Sequence, residues 1–319
     1  MYFAKKSLIT ALLVGLISSL IASLTVVPSS AAPKNQARAV AQPDWLEQNL
    51  DNPKVRIIEV STQPGIYERG HIKNAIKFTW HTDLVDTVNR DIISREDFTK
   101  LARKAGINED STVVLYGDMN NWFAAWGAWI FNVYGQKDVR ILDGGRVKWE
   151  RDGRPLTTAV PNFAQGNFKA SRADQSLRAT LRSDVLPAVK KRKVADLVDI
   201  RGADEFNGKV FAAPGFQELA IRAGHIPGAV NVPWGQNVNS DGTFKSVAEL
   251  RKLYADRGID GSRDIITYCR IGERSSLTWF VLSEILGYNV KNYDGSWTEY
   301  GNTVGVPIIN KAGTIWGAN

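Results

Sequence analysis

The residue best suited to chemistry in this sequence is its single cysteine, Cys269, which begins the heptapeptide Cys-Arg-Ile-Gly-Glu-Arg-Ser at positions 269–275. A β-branched run precedes the heptapeptide and a helical pattern follows it, so the thiol should lie at a helix N-terminus. The helix dipole and the free backbone N–H groups there favour the nucleophilic thiolate. Gly272 allows the loop to curl around a bound anion, and Arg270 and Arg274 add positive charge. A buried, inert cysteine is the alternative, but an apolar site would not recruit two arginines.

The chain contains two copies of one pattern. Three short segments of the first half reappear in the same order in the second half. The pairs are 70–75 with 224–229, 113–116 with 265–268, and 142–145 with 293–296. Ordered recurrence of this kind indicates an internal duplication.

Each copy alternates predicted strands with predicted helices. In the second copy the hydrophobic periodicity predicts strands at 195–199, 229–232 and 264–267 and helices at 246–256 and 276–286. Strands that are separated by helices pair in parallel. The predicted fold class is therefore α/β, with a mainly parallel sheet in each copy and helices on both faces.

The heptapeptide resembles the active-site loop of the rhodanese superfamily. Residues 198–201 (Val-Asp-Ile-Arg) and 224–229 (Gly-His-Ile-Pro-Gly-Ala) resemble two further signatures of that family, and the similarity extends over residues 44–310. The resemblance implies two tandem rhodanese-like modules and a persulfide intermediate on Cys269, with no metal and no organic cofactor. The implied organisation is an N-terminal inactive module at 44–154, a linker at 155–180 and a C-terminal catalytic module at 181–310. Gly117 corresponds to Cys269 in the N-terminal module, which should pack against its partner and help to wall the cleft.

The loop composition favours sulfur transfer over related chemistries. Phosphatase-like and arsenate-reductase-like relatives need Cys-x5-Arg, but here Ser275 stands at the arginine position and Arg274 lies one residue early. Mercaptopyruvate sulfurtransferases typically have Gly where this chain has Arg270, and a second cation suits the thiosulfate dianion. The predicted function is transfer of the sulfane sulfur of thiosulfate to cyanide or a thiol, with release of sulfite. The predicted substrate-binding residues are Arg270, Gly272, Arg274 and Ser275.

Two alternatives to this function stay open. One is a sulfurtransferase that uses 3-mercaptopyruvate or a protein persulfide as donor. The other is a non-catalytic module that binds anions or a redox partner, although a binding module needs no nucleophile. The expected partners are a small anionic sulfur donor and a nucleophilic acceptor, and we expect a monomer.

Several other residues have predicted supporting roles. Asp199 and Arg201 should form ion pairs that brace the active loop rather than act as acid and base. Trp234 could line the cleft or pack in the core. Glu273 would oppose anion binding, so it should face solvent or pair with a nearby arginine. His225 should be structural, because the inactive copy keeps a histidine at the same place. Tryptophans at helical spacing should form core packing; these are Trp122, Trp126 and Trp129.

The composition is that of a globular protein of two domains. The 319 residues include 44% hydrophobic and 23% charged residues, which excludes a disordered chain and a polytopic membrane protein. One cysteine excludes internal disulfides and C-x-x-C zinc or redox motifs. The net charge of +7 lies mostly in residues 169–193, which include the basic run 190–193. Without interleaved aromatic residues, that stretch indicates a solvated surface and not nucleic-acid binding.

The first 32 residues are typical of a secretory signal. Lys5 and Lys6 precede an apolar run from Leu8 to Val27, and small residues follow Pro28 up to a plausible cleavage site after Ala32. The prediction is an exported, periplasmic protein that is free of the membrane after cleavage. The alternative is a retained N-terminal anchor, since the apolar run is just long enough to span a bilayer.

Overall fold

Two five-stranded parallel sheets, one in each half of the sequence, organise the computed structural model, which describes residues 36–191, 194–217 and 219–317. The predicted signal at 1–32 lies outside these residues, as do Arg192 and Lys193 of the basic run. None of the helices in these ranges is long and apolar enough to cross a membrane.

The two sheets have the same strand order. Across the first sheet the strands are Val40–Ala41, Asp138–Leu142, Thr112–Tyr116, Val55–Glu59 and Ala75–Lys77. Across the second sheet they are Arg178–Ala179, Val290–Tyr293, Asp264–Tyr268, Ala195–Asp199 and Val230–Asn231. Every pairing within these two sheets is parallel. The shared order confirms the duplication and the predicted α/β class.

Helices connect the strands and cover the sheets. In the N-terminal half the α-helices are Gln36–Ala39, Pro43–Gln48, Ile66–Arg69, Trp80–Asp83, Arg95–Lys104, Trp122–Val133 and Gly145–Arg151. In the C-terminal half they are Leu186–Lys190, Ala203–Phe206, Val247–Ala255, Glu273–Phe280 and Ser296–Asn302. Short 3₁₀ turns occupy Met119–Asn121, Gln175–Leu177 and Trp234–Asn237, and π-helical turns occupy Leu181–Val185 and Val281–Ile285. The strands Val85–Asp86 and Asp91–Ile92 form a small antiparallel hairpin.

Some element boundaries differ from the sequence prediction. The helix predicted at 276–286 begins three residues earlier, at Glu273, and continues through the π turn Val281–Ile285. Gly287 ends it with a φ of +76°, as expected for a helix C-terminus. Within the segment 155–180, Arg178–Ala179 pairs with Val290–Tyr293 as the edge strand of the second sheet. This edge strand corresponds to Val40–Ala41 of the first sheet, which had no counterpart in the repeat motifs.

The two modules share one hydrophobic core, which runs from the helix Trp122–Val133 into the helix Glu273–Phe280. These helices occupy corresponding places in the repeat and pack against each other. Trp126 and Trp129 are fully buried, which confirms the predicted core stripe for these two residues. Trp122, at the start of its helix, also belongs to this core and in addition lies beside Arg274 of the C-terminal module. The interface therefore brings N-terminal residues close to the predicted catalytic loop, residues 269–275.

Candidate active site

Cys269 follows directly on the central strand Asp264–Tyr268 and precedes the helix Glu273–Phe280. The loop between them curls as predicted, because Gly272 has a φ of +102°. A Cβ atom at this position would lie 2.4 Å from Asp294 Oδ1, so a side chain cannot be accommodated without a shift. The Gly272 N–H donates to Cys269 Sγ at 3.1 Å. The loop therefore directs a backbone donor at a fully buried sulfur.

Ser296 holds the other side of the cysteine and was missed from the sequence. Its Oγ accepts from the Cys269 N–H at 3.1 Å, donates to Tyr293 O at 2.7 Å and lies 4.0 Å from Sγ. Ser296 has a φ of +49°, and Gly145 at the corresponding place in the N-terminal module has a φ of +57°. The available signal for Ser296 was that a serine stands where the first copy has Gly145, at a position with a left-handed backbone.

Each of the two loop arginines is held by contacts with the C-terminal module. Arg274 forms an ion pair of 3.2 Å with the buried Glu205. Burial opposes its charge, but the nearby Cys269 sulfur and the Glu205 carboxylate hold the pKa of Arg274 above its ordinary value. Arg270 donates to Gln217 O at 2.5 Å and lies over the Phe216 ring. Arg274 is thus anchored near the sulfur, and Arg270 is anchored at the margin of the same loop.

Ser275 is buried beneath the loop. Its hydroxyl lies 2.8 Å from Gly272 O and 2.6 Å from Asn292 Oδ1. The Asn292 amide N–H also donates to Gly272 O, at 3.1 Å. Because these contacts occupy the hydroxyl, we assign Ser275 to holding the loop and not to the predicted contact with substrate. Asn292 is a second supporting residue that sequence reasoning did not identify.

Asp199 and Arg201 form a buried ion pair of 2.7 Å. The Arg201 guanidinium also donates to Gly224 O at 2.6 Å and lies over the Trp297 ring. This arrangement ties the strand Ala195–Asp199 to the segment that begins at Gly224, which is the geometry of a brace.

The N-terminal module has the same brace made from a different position. There Arg146 pairs with Glu59 at 2.9 Å and donates to Gly70 O at 2.5 Å. Gly70 corresponds to Gly224, whereas Arg146 corresponds to Trp297 and not to Arg201. The duplication has therefore retained the guanidinium but not the residue that carries it.

The histidine of the repeated Gly-His-Ile segment is a packing residue in both modules. The His225 ring stacks on Phe206 at 3.6 Å, and its Nδ1 lies 2.6 Å from Phe206 O. The His71 ring stacks on Tyr67 at 3.8 Å, with Nδ1 2.9 Å from Tyr67 O. Burial lowers the pKa of His225. Identical surroundings in a module with no thiol agree with a structural role.

An aromatic group from both modules stands beside the loop arginines. Trp234 meets Trp122 edge to face with 4.8 Å between ring centroids, and Phe216 lies 6.5 Å from Trp122. Trp122 also lies 5.9 Å from the Arg274 guanidinium. Trp234 thus packs against the core and against Trp122 of the N-terminal module, and its predicted place in a cleft wall stays a prediction.

Glu273 does not face solvent, contrary to one of the two expected arrangements. Its side chain is 1% exposed, and neither carboxylate oxygen has a hydrogen-bond partner among the described residues. An arginine does approach it, at 3.9 Å, but this is Arg90 of the N-terminal module. Burial, with the adjacent Asp294 carboxylate, raises the pKa of Glu273 to about 8. Burial likewise raises the pKa of Asp294 to about 6.

Replacing Glu273 by glutamine is expected to stabilise the protein at alkaline pH. The folded-state pKa of Glu273 exceeds its unfolded value, so the folded protein binds the extra proton and loses stability as pH rises from about 4.5 to about 8. Relative to the wild type, Glu273→Gln should therefore gain about 2–4 kcal/mol in free energy of unfolding between about pH 5 and pH 8. Urea unfolding at both pH values measures this gain. The exposed Glu96→Gln is the control, and an equal difference at both pH values for Glu273→Gln would contradict the prediction.

The corresponding loop of the N-terminal module has no room for a thiol. A Cβ atom at Gly117 would lie 2.2 Å from Val60 O. The Gly117 N–H donates to Asn121 Oδ1 at 3.0 Å, whereas the corresponding Cys269 N–H donates to Ser296 Oγ. Nor does the described part of the chain contain a group of three or more His, Cys, Asp or Glu that could hold a metal ion.

Comparison with known proteins is consistent with this geometry. A model of the rhodanese-like domain matches residues 42–152 and again residues 183–303. The sulfur carrier protein TtuD of Thermus thermophilus is 53% identical over 269 residues, which cover 83% of this chain and 94% of that protein. The "Putative thiosulfate sulfurtransferase 1" of Mycobacterium bovis is 54% identical over 267 residues, which cover 83% of this chain and 95% of that protein.

Among solved structures, the chain is similar to the 3-mercaptopyruvate sulfotransferase SseA of Escherichia coli. The match has a TM-score of 0.69 at 30% identity and covers 81% of this chain and 98% of that one. The relatives therefore share sulfur-transfer chemistry but differ in the donor or role that their names state.

Proposed function

Because the chain belongs to the rhodanese superfamily as a tandem-module sulfurtransferase, we propose that it is a thiosulfate sulfurtransferase with Cys269 as the sulfur carrier. The observation that carries the proposal is the placement of Cys269 Sγ. The sulfur is buried, receives the Gly272 N–H at 3.1 Å and lies in a loop that carries two anchored arginines. This combination suits a nucleophile whose substrate and product are both anionic.

The first half-reaction would load sulfur onto the enzyme. The Cys269 thiolate attacks the outer sulfur of thiosulfate and forms a new S–S bond. The original S–S bond breaks, and sulfite leaves with the bonding electron pair. Arg270 and Arg274 would hold the sulfonate oxygens during this step, because guanidinium groups match oxyanions in charge and geometry.

The second half-reaction would release sulfur to an acceptor. Cyanide or a thiolate attacks the outer sulfur of the persulfide, and the Cys269 thiolate leaves with the bonding electron pair. The loop N–H groups would stabilise the persulfide between the half-reactions. This sequence predicts ping-pong kinetics.

Arg270 favours thiosulfate over 3-mercaptopyruvate. It adds a second cation to the loop, which suits a dianionic donor better than a carboxylate monoanion. Its contact with Gln217 O keeps the guanidinium near Phe216, at the margin of the loop. The alternative with 3-mercaptopyruvate rests on the likeness to the Escherichia coli structure.

The donor can be identified by loading the full chain with each candidate. After incubation with thiosulfate, intact-mass spectrometry should show one added sulfur atom per chain, and one sulfite should be released. Initial rates with thiosulfate should exceed those with 3-mercaptopyruvate by about tenfold or more. In Arg270→Gly, the thiosulfate rate should fall further than the 3-mercaptopyruvate rate. Faster transfer from 3-mercaptopyruvate would favour that donor, and no transfer from either would favour a protein-persulfide donor or a binding module.

The place of action is a separate proposal, drawn from residues 1–32. The basic residues, the apolar run and the small residues before Pro33 support export to the periplasm. The mass of the mature protein from the host envelope tests this directly. Loss of the first 32 residues is expected, and an intact N-terminus would support a retained anchor instead.

A further inference from the structure

A hairpin of the N-terminal module reaches the catalytic loop. Its strands are Val85–Asp86 and Asp91–Ile92, and its turn presents Arg90 to the C-terminal module. The Arg90 guanidinium donates to Ile271 O at 2.7 Å and to Asp294 Oδ2 at 3.0 Å. It is also the cation that approaches the buried Glu273 carboxylate.

The hydrogen bond to Ile271 O matters because of the peptide plane to which this oxygen belongs. The Ile271 carbonyl and the Gly272 N–H are the two ends of one planar trans peptide, so they point in opposite directions. Arg90 holds the oxygen end, and the N–H end donates to Cys269 Sγ at 3.1 Å. A rotation of this peptide that freed the carbonyl would also turn the N–H away from the sulfur.

The repeat shows that Arg90 is a specific feature of the catalytic side. The equivalent hairpin of the C-terminal module, bridged between Val238 and Phe244, reaches the N-terminal loop in the same way. There the Phe244 N–H donates to Asp143, which corresponds to Asp294. The residue equivalent to Arg90 is Gly242, with a φ of +82°. Arg90 is a non-glycine residue with a φ of +54°, a left-handed conformation that favours glycine.

The charge around the loop gives a second reason for a cation at this place. Glu273 is a buried acidic group and Asp294 a largely buried one at the loop, and negative charge on either would oppose a thiolate and an anionic donor. Among the described residues, Arg90 is the basic side chain that contacts both of them. Asp294 also packs against Gly272, at the turn of the catalytic loop.

We propose that Arg90 of the N-terminal module is a positioning residue for chemistry at Cys269, because it fixes the Ile271–Gly272 peptide with its N–H aimed at the sulfur. The module without a thiol thereby supplies part of the active site of the other. The persulfide-formation measurement for this proposal rests on the function proposed above. The orientation of the Ile271–Gly272 peptide does not depend on that function.

The test compares Arg90→Gly, Arg90→Lys and a control in the full chain. Glycine suits the left-handed backbone and is the residue found in the repeat, so Arg90→Gly should fold. The control is Arg263→Gly, which removes an arginine of similar exposure that pairs with Asp196 away from the loop. Two rates are measured for each protein: alkylation of Cys269 by iodoacetamide, and persulfide formation from thiosulfate, each as a pH profile.

We expect Arg90→Gly to slow both reactions about 10- to 100-fold near neutral pH and to shift their pH profiles to higher pH. The KM for thiosulfate should change by less than about threefold, because Arg270 and Arg274 remain. Arg90→Lys should recover part of the rate, and Arg263→Gly should match the wild type.

The alkylation rate separates this proposal from the proposed function, since alkylation needs no sulfur donor. Slower alkylation of Arg90→Gly than of the wild type supports the positioning role, even if thiosulfate transfers no sulfur to either protein. If Arg90→Gly is alkylated and loaded with sulfur at wild-type rates, the positioning role is refuted. This also holds if the substitution lowers the thermal midpoint but changes neither rate.

Discussion

Replacing Cys269 by serine is expected to abolish sulfur transfer. A serine hydroxyl is a far weaker nucleophile toward sulfane sulfur than a thiolate, and the chain has no second cysteine to substitute for it. Turnover should fall by at least about 10⁴-fold, and the mass increment of one sulfur after thiosulfate should disappear. Thiocyanate formation and intact-mass spectrometry measure the two effects.

The fold should survive this substitution, so the loss can be assigned to the missing nucleophile. A serine Oγ is smaller than Sγ and can accept the same Gly272 N–H. The thermal midpoint should therefore stay close to that of the wild type. Residual sulfur transfer by folded Cys269→Ser would refute the role of Cys269 as the sulfur carrier.

Replacing Arg201 by alanine should have the largest effect on stability. The substitution leaves the Asp199 carboxylate fully buried without its cation and removes a donor from Gly224 O. Breaking a buried pair from one side costs about 3–5 kcal/mol in free energy of unfolding. Urea unfolding at neutral pH measures this loss.

Two matched arginines control this experiment. Arg146→Ala breaks the corresponding brace in the N-terminal module and should cost a similar amount. Arg263→Ala breaks a more exposed pair with Asp196 and should cost less than about 1 kcal/mol. If Arg201→Ala were no less stable than Arg263→Ala, the brace would not be a major source of stability.

Local features of this protein could be predicted from the sequence because they depend on neighbouring residues. The β-branched run before Cys269 and the helical periodicity after it place the thiol between a strand and a helix. Gly272 supplies the left-handed turn between them, as the structure has it. The repeated segments also predict the duplication, since each depends only on residues close together in the chain.

Contacts between distant segments could not be predicted in the same way. Ser296 and Asn292 reach the loop from the neighbouring strand and its following turn, and no fixed spacing links them to Cys269. Glutamate is a residue type that usually lies at the surface, yet packing of the modules buries the Glu273 side chain. Arg146 takes the role of Arg201 in the N-terminal module, because either position can bring a guanidinium to the corresponding carbonyl, Gly70 O or Gly224 O.

The predicted nucleophile, its loop and the doubled α/β architecture follow from the sequence alone, because strand and helix periodicity and the left-handed turn are properties of short segments. That the N-terminal module brings Arg90 and Trp122 to the Cys269 loop is visible only in the folded protein. Hydrogen bonds and ion pairs require atoms within a few ångströms of one another. For residues so far apart in the chain, that proximity arises only when the two sheets pack around their shared core.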